Sequence, residues 1–428
     1  MRQYLALNFG NRLRALRWQD IGAFLFFAAV FAIPSGYSLG AVLLFVGSLL
    51  TFRASDLKAL DLHVWLVIGA FVLYALFWGM DGLLRGEGVR ELDRPIRFLF
   101  AAFVLARIYR VPPSTEFVFF GISLGALTAG FVAAYEYYWV GMNRANGFMP
   151  TNSFGMLAAL YAGLSLCVLQ FARFGAGYRC LSLLAALGGV SASAAALLSG
   201  SRGAFLTLAG VGIWLFIRVV LRYDRWSLRL GLTISILLVI IAVYNAPGTP
   251  VKQRIDAAVH SATAYVIDSE RVGRSIPARF DMWQGGLILF LEKPLLGWGE
   301  SGYQAPLSDL VERGVIEDDH ASGRHLHNQF LHVLTSKGFI GVLILAVLLI
   351  APVFYIKSTA TQNKDTKNKN ADPSDSRAFI YLVVVAYFLG GLTRVPMEHH
   401  SGVMVYAFCI AILLGLHRAQ GPLPKPRI

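Results

Sequence analysis

The sequence predicts an all-α polytopic membrane protein with about twelve transmembrane helices. Apolar residues make up 56% of the 428 residues and charged residues only 15%, whereas a soluble domain carries roughly 25% charge. Apolar runs near the length of about 20 residues that a membrane-spanning helix needs recur along most of the chain. One long polar stretch interrupts them late in the sequence, between residues 245 and 326.

The predicted spans follow the apolar runs in chain order. They lie near residues 20–35, 37–52, 62–80, 95–109, 116–139, 153–172, 180–198, 203–222, 228–245, 333–356, 378–396 and 401–417. Pro34-Ser35-Gly36 separates the first two, which favours a hairpin or a re-entrant pair. Lysine and arginine concentrate in alternate loops, so the positive-inside rule predicts that both termini are cytoplasmic.

These spans divide the chain into three parts. Residues 1–245 hold transmembrane helices 1–9, residues 246–326 form a large outer loop with short helices, and residues 327–428 hold helices 10–12. Within the loop, residues 279–291 are predicted to be helical, since Pro277 precedes them and Pro294 follows. The polar stretch near 358–376 is predicted to be a disordered cytoplasmic linker.

Composition also excludes several classes of protein. The three cysteines, Cys167, Cys180 and Cys409, lie in or beside apolar runs, so neither a disulfide framework nor a CxxC metal site is available. The sequence contains no Gly-rich phosphate loop and no Gly-x-Ser-x-Gly elbow. In a membrane protein, the net charge of +13 indicates cytoplasmic loops and anionic lipid headgroups rather than nucleic acid.

Several arginines fall on the predicted outer face, against the positive-inside trend, and four of them are taken as a set: Arg144, Arg202, Arg279 and Arg324. Guanidinium groups bind phosphate oxygens through paired, charge-assisted hydrogen bonds, so the set suits a diphosphate. Arg202 opens a predicted helix, whose dipole adds positive potential there. The alternative is that these arginines anchor lipid headgroups.

Other charged residues near the outer face have structural interpretations beside functional ones. Arg97 either faces the site or pairs with Asp93, and Glu136 is expected to pair with an outer-face arginine. His399 and His400 either line a cavity or meet headgroups.

The segment 323–341 carries His325, His327 and His332 at the start of an apolar run. Ionisable groups at the end of a membrane span indicate function by default, although an interfacial collar of snorkelling side chains is the alternative. His327 is predicted to begin a helix, and its neutral imidazole can accept a proton. Gly338 and Gly341 are expected to share one helix face and to permit close packing. The histidine spacings do not suit a zinc pair, so no metal is predicted.

At these residues the sequence resembles the bacterial O-antigen ligases, which form a superfamily with O-antigen polymerases and pilin-type O-oligosaccharyltransferases. His327-Asn328, followed after nine residues by Gly338 and then by Gly341, matches their pattern His-[Asn/Ser/Gln]-x9-Gly-x2-[Gly/Thr/Tyr]. Further matches are Pro294-x2-Gly297-x-Gly299, Arg279 with Trp283, Ser201-Arg202-Gly203, and Arg144-Ala145-Asn146-Gly147 with Asn152.

The resemblance implies a GT-C-type glycosyltransferase of the bacterial inner membrane with its active site facing the periplasm. It implies a donor glycan on undecaprenyl diphosphate and an acceptor hydroxyl on lipid A–core oligosaccharide, with no cofactor and no metal. His327 would be the general base. Arg202, Arg279 and Arg144 would hold the diphosphate, with Asn328, Arg324, His325 and Arg97 as supporting residues. We expect a monomer in contact with membrane lipids and no nucleic-acid partner.

Three alternatives remain at the level of sequence. An O-antigen polymerase would use another lipid-linked glycan as acceptor, and a protein O-oligosaccharyltransferase would use a protein. A lipid-linked glycan transporter would place its ionisable groups near the bilayer midplane and often shows internal repeats. The ionisable groups of this chain gather instead at the outer boundary, which favours an enzyme.

Overall fold

The computed structural model describes residues 16–172, 179–222, 230, 251–264, 277–317, 325–364 and 374–420. Within these ranges the secondary structure is helical and no strand is present. Several helices are long and apolar enough to cross a membrane. The described part of the chain is therefore all-helical and consistent with the polytopic membrane protein that the composition predicts.

The described α-helices are numbered here in chain order. They are α1 Trp18–Ala28, α2 Tyr37–Thr51, α3 Ala54–Lys58, α4 Leu62–Leu84, α5 Asp93–Ile108, α6 Thr115–Ala134, α7 Thr151–Ala172, α8 Arg179–Leu198, α9 Arg202–Arg222, α10 Val251–Thr263, α11 Pro277–Glu292, α12 Gln304–Glu312, α13 Gln329–Lys364, α14 Ser374–Gly391 and α15 His400–Gln420. A π-helical turn at Tyr135–Trp139 extends α6, and a 3-10 turn at Pro396–Glu398 precedes α15.

Among the described residues, 7 helices have the length and apolar composition of a membrane span. The shorter apolar helices α2 and α14 fall below that length. The predicted span 228–245 lies outside the described residues, apart from residue 230. Every other predicted span overlaps a helix, although α1 ends at Ala28, before the end of the predicted span 20–35, and α14 ends at Gly391, before the end of the predicted span 378–396. The total of about twelve transmembrane helices stays a prediction.

Helical structure enters the predicted linker near 358–376 at both of its ends, and the disorder of its central part stays a prediction. Helix α13 continues to Lys364 and α14 begins at Ser374, so only residues 365–373 remain between them, and these lie outside the described residues. The physical reason is that a helix, once formed, propagates by one hydrogen bond for each residue added. The polar residues after Lys357 therefore continue the apolar helix that precedes them.

Small residues allow the helices to approach one another closely. Helix α6 packs along α8, where a Cβ atom on Gly130 would lie 1.9 Å from Ser191 Oγ and one on Gly188 would lie 2.6 Å from Ser123 O. Close backbone approach of this kind is how membrane helices gain packing energy without a hydrophobic driving force. Helix α15 is the most buried of the candidate spans among the described residues, since 89% of its most apolar 18-residue stretch is buried within the protein.

Helix α13 contains a break that the sequence pattern did not predict. Gly338 has φ 65° and ψ −165°, and the turn at 294–299 fits against the break. Phe339 N donates to Pro294 O at 2.8 Å, Trp298 N to Thr335 O at 3.0 Å and Gly299 N to Ser336 O at 2.8 Å. The expectation that Gly338 and Gly341 share one helix face is therefore wrong, because Gly338 takes a conformation open only to glycine.

Candidate functional site

The loop that carries His327 is held on both sides by hydrogen bonds. Asn328 Oδ1 accepts from Phe330 N at 3.0 Å and from Leu331 N at 3.2 Å, so Asn328 is the N-cap of α13. Trp283 of α11 donates through Nε1 to Leu326 O at 2.9 Å, and the Leu326 side chain is buried. His327 therefore precedes the helix rather than beginning it, with φ at 51°.

Three imidazoles meet beside this loop. The ring centroids of His325 and His327 lie 4.6 Å apart, and those of His325 and His399 lie 5.7 Å apart. All three rings line a cavity of ≈ 200 Å³, which Arg144, Asn152 and Arg394 also line. Of the two interpretations of His399, the structure favours the cavity.

The imidazoles of this cavity are neutral at physiological pH. Burial, then the neighbouring His325, Arg279 and Arg394, lower the pKa of His327 to about 3. Burial is also the main cause for His325, whose pKa falls to about 4, and for His399, whose pKa falls to about 3. A neutral imidazole offers a lone pair to a proton, as a general base requires.

Three of the arginines singled out in the sequence come together next to the imidazoles. Burial and the nearby charges of Arg202 and Arg144 lower the pKa of Arg279. Arg279 lines a second, smaller cavity with Ser201 and Asn152. Arg144 lines the cavity of His327, and the charge of Arg279 lowers the pKa of His327. Three stretches that are far apart in the sequence thus meet at one site: the start of α9, the turn at 144–147 and the start of α11.

The position of Arg144 depends on the turn at 144–147. Arg144 Nε donates to Ser199 O at 3.0 Å and Nη2 donates to Asn152 Oδ1 at 3.1 Å. Glu136 Oε2 accepts from the backbone amides of Asn146 at 2.7 Å and Gly147 at 2.9 Å. The expected pairing of Glu136 with an outer-face arginine is thus replaced by bonds that hold the turn in place.

Part of the chain is similar to a known family. Residues 187–346 match the family model described as O-antigen ligase. An uncharacterized protein of Haemophilus influenzae is 26% identical over 354 residues, which cover 80% of this chain and 86% of the relative.

The matched segment 187–346 contains part of the site, and the rest lies outside it. Arg202, Arg279 and His327 fall within the matched residues. Arg144, in the turn before α7, and His399, just before α15, fall outside them. Helices on both sides of the matched segment are therefore needed to complete the cavity.

Two supporting residues of the sequence prediction are not seen in the cavity. Arg97 forms an ion pair with Asp93, its Nη2 lying 2.9 Å from Asp93 Oδ2, and Nη1 donates to His400 O at 3.4 Å. His400 Nδ1 also lies 3.2 Å from Asp93 Oδ2. Arg324 lies outside the described residues. The structural interpretation of Arg97 is therefore the one the geometry favours.

Sequence reasoning missed Arg394, which lines both cavities of the candidate site. Its side chain is buried, with 4% of the residue exposed. A usable signal was present, because Arg394 lies at the outer end of the predicted span 378–396, against the positive-inside trend. The same argument had selected the other arginines.

A second charged cluster lies beside the imidazoles. His332 Nε2 lies 2.7 Å from Glu300 Oε1, and Lys337 Nζ donates to Asp81 Oδ2 at 2.6 Å. Burial would raise the pKa of Glu300, but the charges of His332, Lys337 and Arg94 lower it to about 2. This cluster joins α4, the 294–303 turn and α13 through buried ion pairs.

This cluster also contains a group of potential metal ligands found among the described residues. Ligand atoms of Glu300, His332 and Glu398 lie within 4.8 Å of one another. Arg94 forms an ion pair with Glu398, however, and His332 already bonds to Glu300. Because the protein's own cations engage both carboxylates, the arrangement is more typical of a buried ion-pair network than of a metal centre.

Proposed function

We propose that the protein is an O-antigen ligase. It transfers a glycan from undecaprenyl diphosphate to a sugar hydroxyl of lipid A–core oligosaccharide and so completes lipopolysaccharide. The observation that carries the proposal is that a neutral imidazole, His327, and Arg144 line one cavity, and that Arg279 lines the cavity next to it. Arg202 lies close enough to Arg279 for its charge to lower the pKa of Arg279. A glycosyl transfer from a diphosphate needs a base for the acceptor and cations for the leaving group.

The proposed reaction is a single displacement. His327 removes the proton from the acceptor hydroxyl, and the acceptor oxygen forms a bond to the anomeric carbon of the donor glycan. The bond from that carbon to the diphosphate oxygen breaks, and undecaprenyl diphosphate leaves with the electron pair. The proton stays on the imidazole and then passes to solvent or product. Attack opposite the leaving group inverts the anomeric centre.

The arginines stabilise the negative charge that grows on the diphosphate as the bond breaks. Electrostatic stabilisation of this kind is worth about 10²–10³ in rate for each donor removed. Arg202 begins α9, so the amide dipoles of its first turn add to its charge. Arg279 lies in the first turn of α11, which begins at Pro277, so the amide dipoles of that turn likewise add to its charge.

Binding of the donor is expected to raise the pKa of His327. In the free protein, nearby cations and burial keep the pKa of His327 at about 3, which makes it neutral but only weakly basic. A bound diphosphate brings negative charge next to the imidazole, and such a charge raises the pKa of a neighbouring cationic acid. Proton transfer from the acceptor therefore becomes easier once the donor is in place.

The proposal includes the membrane location, the topology and the oligomeric state of the protein. We place the protein in the bacterial inner membrane as a GT-C-type glycosyltransferase, with both termini in the cytoplasm and the His327 cavity facing the periplasm. The chemistry described uses side chains of this chain alone, without a metal or a cofactor. The protein is proposed to act as a monomer.

The test is a reconstituted transfer assay with purified protein, undecaprenyl-diphosphate glycan, lipid A–core and a chelator. His327→Ala should lower the rate about 10²–10⁴-fold because the general base is lost. Arg202→Gln and Arg279→Gln should each lower it about 10²–10³-fold. Arg97→Gln is the matched control, since Arg97 is an arginine at the same end of the bundle that pairs with Asp93.

Each other outcome contradicts the proposal in a distinct way. Extension of the donor into longer lipid-linked chains would identify a polymerase. Transfer to a protein would identify an O-oligosaccharyltransferase. Movement of labelled donor between leaflets without any transfer would identify a transporter. Full activity of His327→Ala in lipid A–core transfer would remove the assigned base.

A further inference from the structure

We propose that Arg394 is a further anion-binding residue that contacts the diphosphate of the donor on the side facing the imidazoles. The proposal rests on the proposed function for the identity of the anion. Neither the histidine motif nor the matched family segment includes Arg394, which lies in the connection between α14 and α15.

Contacts of the neighbouring backbone fix the position of Arg394. Met397 N, three residues later, donates to Gln329 Oε1 at 2.9 Å, which ties the connection to the start of α13. A Cβ atom on Gly390 would lie 2.4 Å from Met156 Sδ, so the end of α14 packs directly against α7. A Cβ atom on Gly203 would lie 2.3 Å from Thr393 Oγ1, so the start of α9 is equally close.

Arg394 lies at the boundary between the two cavities. One cavity is lined by Arg279 and Ser201, and the other by Arg144, His325, His327 and His399. Arg394 and Asn152 line both. An anion held by Arg279 and reached by the imidazoles must therefore pass close to the Arg394 guanidinium.

Arg394 is a buried cation with an unused hydrogen-bond donor. Only 4% of the residue is exposed, and its Nη1 is buried without a hydrogen-bond partner among the described residues. Burial lowers the pKa of Arg394 to about 9, so it remains charged at neutral pH. An uncompensated buried charge is costly, and proteins normally pair such charges.

The alternative is that Arg394 has only a structural role and links helices to one another. Two other arginines of the protein show how an arginine with such a role is paired. Arg94 forms ion pairs with Glu91 and Glu398, and Arg85 Nε lies 2.7 Å from Asp81 Oδ1. Both of these structural arginines are paired with carboxylates of the chain. The unsatisfied Nη1 of Arg394 points instead to an anion supplied by a ligand.

The experiment measures binding and stability separately, on the full-length protein in detergent with farnesyl diphosphate as the probe and farnesol as the uncharged control ligand. Arg394→Gln should weaken farnesyl diphosphate binding about 10- to 100-fold, the range for losing a hydrogen bond to a charged group. Arg394→Lys should retain part of the affinity, and Arg97→Gln should leave it unchanged. Farnesol should not distinguish the variants.

The melting temperature of the free protein separates this role from a structural one. Removal of an unpaired buried charge should leave the melting temperature of Arg394→Gln equal to or above that of the wild type. A lower melting temperature together with weaker binding would overturn the proposal, as would equal affinity of Arg394→Gln and wild type, or no binding to the wild type. Intact wild-type binding that depends on Arg394, without any glycan transfer, would support the anion site while contradicting the proposed function.

Discussion

Gly338 lies so close to Leu295 that a Cβ atom would be 2.3 Å from the carbonyl carbon and oxygen of Leu295. The contact joins the break in α13 to the turn that begins at Pro294. Thr335 O and Ser336 O, which the break leaves available, accept from the amides of Trp298 and Gly299. The glycine of the histidine motif thus positions the turn that carries Glu300.

Gly338→Ala should destabilise the protein strongly. A side chain at φ 65° and ψ −165° is strained by about 1–3 kcal/mol, and the clash with Leu295 adds to this. We expect a clear fall in melting temperature in detergent and a loss of transfer activity. Gly69→Ala in α4 is the matched control, since its Cβ would meet nothing within 4 Å. Equal melting temperatures for the two variants would contradict this account of the break.

Asn328→Ala should loosen the start of α13. Asn328 Oδ1 caps two backbone amides, and loss of such a cap costs about 0.5–2 kcal/mol. The melting temperature should fall modestly, and the transfer rate should fall further because His327 is the preceding residue. Asn328→Asp keeps the cap and should restore most of the stability. If Asn328→Asp is as unstable as Asn328→Ala, the amide has a role other than capping.

Acid should destabilise the protein through its buried imidazoles. The pKa values of His325, His327 and His399 are about 4, 3 and 3 in the folded protein, against 6.5 for the free side chain. The unfolded chain then binds more protons than the folded one, so stability is present above pH 6.5 and falls as the pH drops below it. Melting temperatures between pH 7 and 4 should show this fall.

The same acid titration has an internal control. His325→Gln and His399→Gln each remove one imidazole that titrates only on unfolding, so both should show a shallower fall of melting temperature with pH. His260→Gln, at an exposed position of α10, is the comparison. A slope unchanged in both cavity variants would contradict the burial of neutral imidazoles at this site.

The ion pair of Lys337 with Asp81 should behave as a buried pair. Lys337 is 1% exposed, and its Nζ lies 2.6 Å from Asp81 Oδ2. Removal of one partner from a buried pair typically costs about 3–5 kcal/mol, whereas replacing both costs much less. Lys337→Met should therefore lower the melting temperature sharply, and Asp81→Asn in the same chain should recover part of it.

The exposed pair of Arg313 with Asp309 is the matched control for this test. Its side chains are 68% and 47% exposed, and exposed pairs contribute about 0–1 kcal/mol. Arg313→Ala should leave the melting temperature almost unchanged. A large effect there, or none for Lys337→Met, would contradict the assignment of the Lys337 pair to the buried network.

Much of the architecture could be predicted from periodicity and composition. Helix α9 begins at Arg202, as expected, and α11 begins at Pro277, two residues before the predicted start at 279, because apolar runs and proline are local signals. Arg144, Arg202 and Arg279 were selected because they break the positive-inside trend, and they meet at one site. The family motif selected His327, which lines the cavity beside them.

What the sequence by itself determined is therefore most of the described helices and many of the residues that meet at the cavities, because hydropathy and charge placement are properties of the chain alone. Only the tertiary structure decided that Gly338 breaks α13, that Glu136 holds a turn, that Arg97 pairs with Asp93, and that Arg394 and His399 join the cavity. These outcomes depend on contacts between segments far apart in sequence, and such contacts leave no local pattern to read.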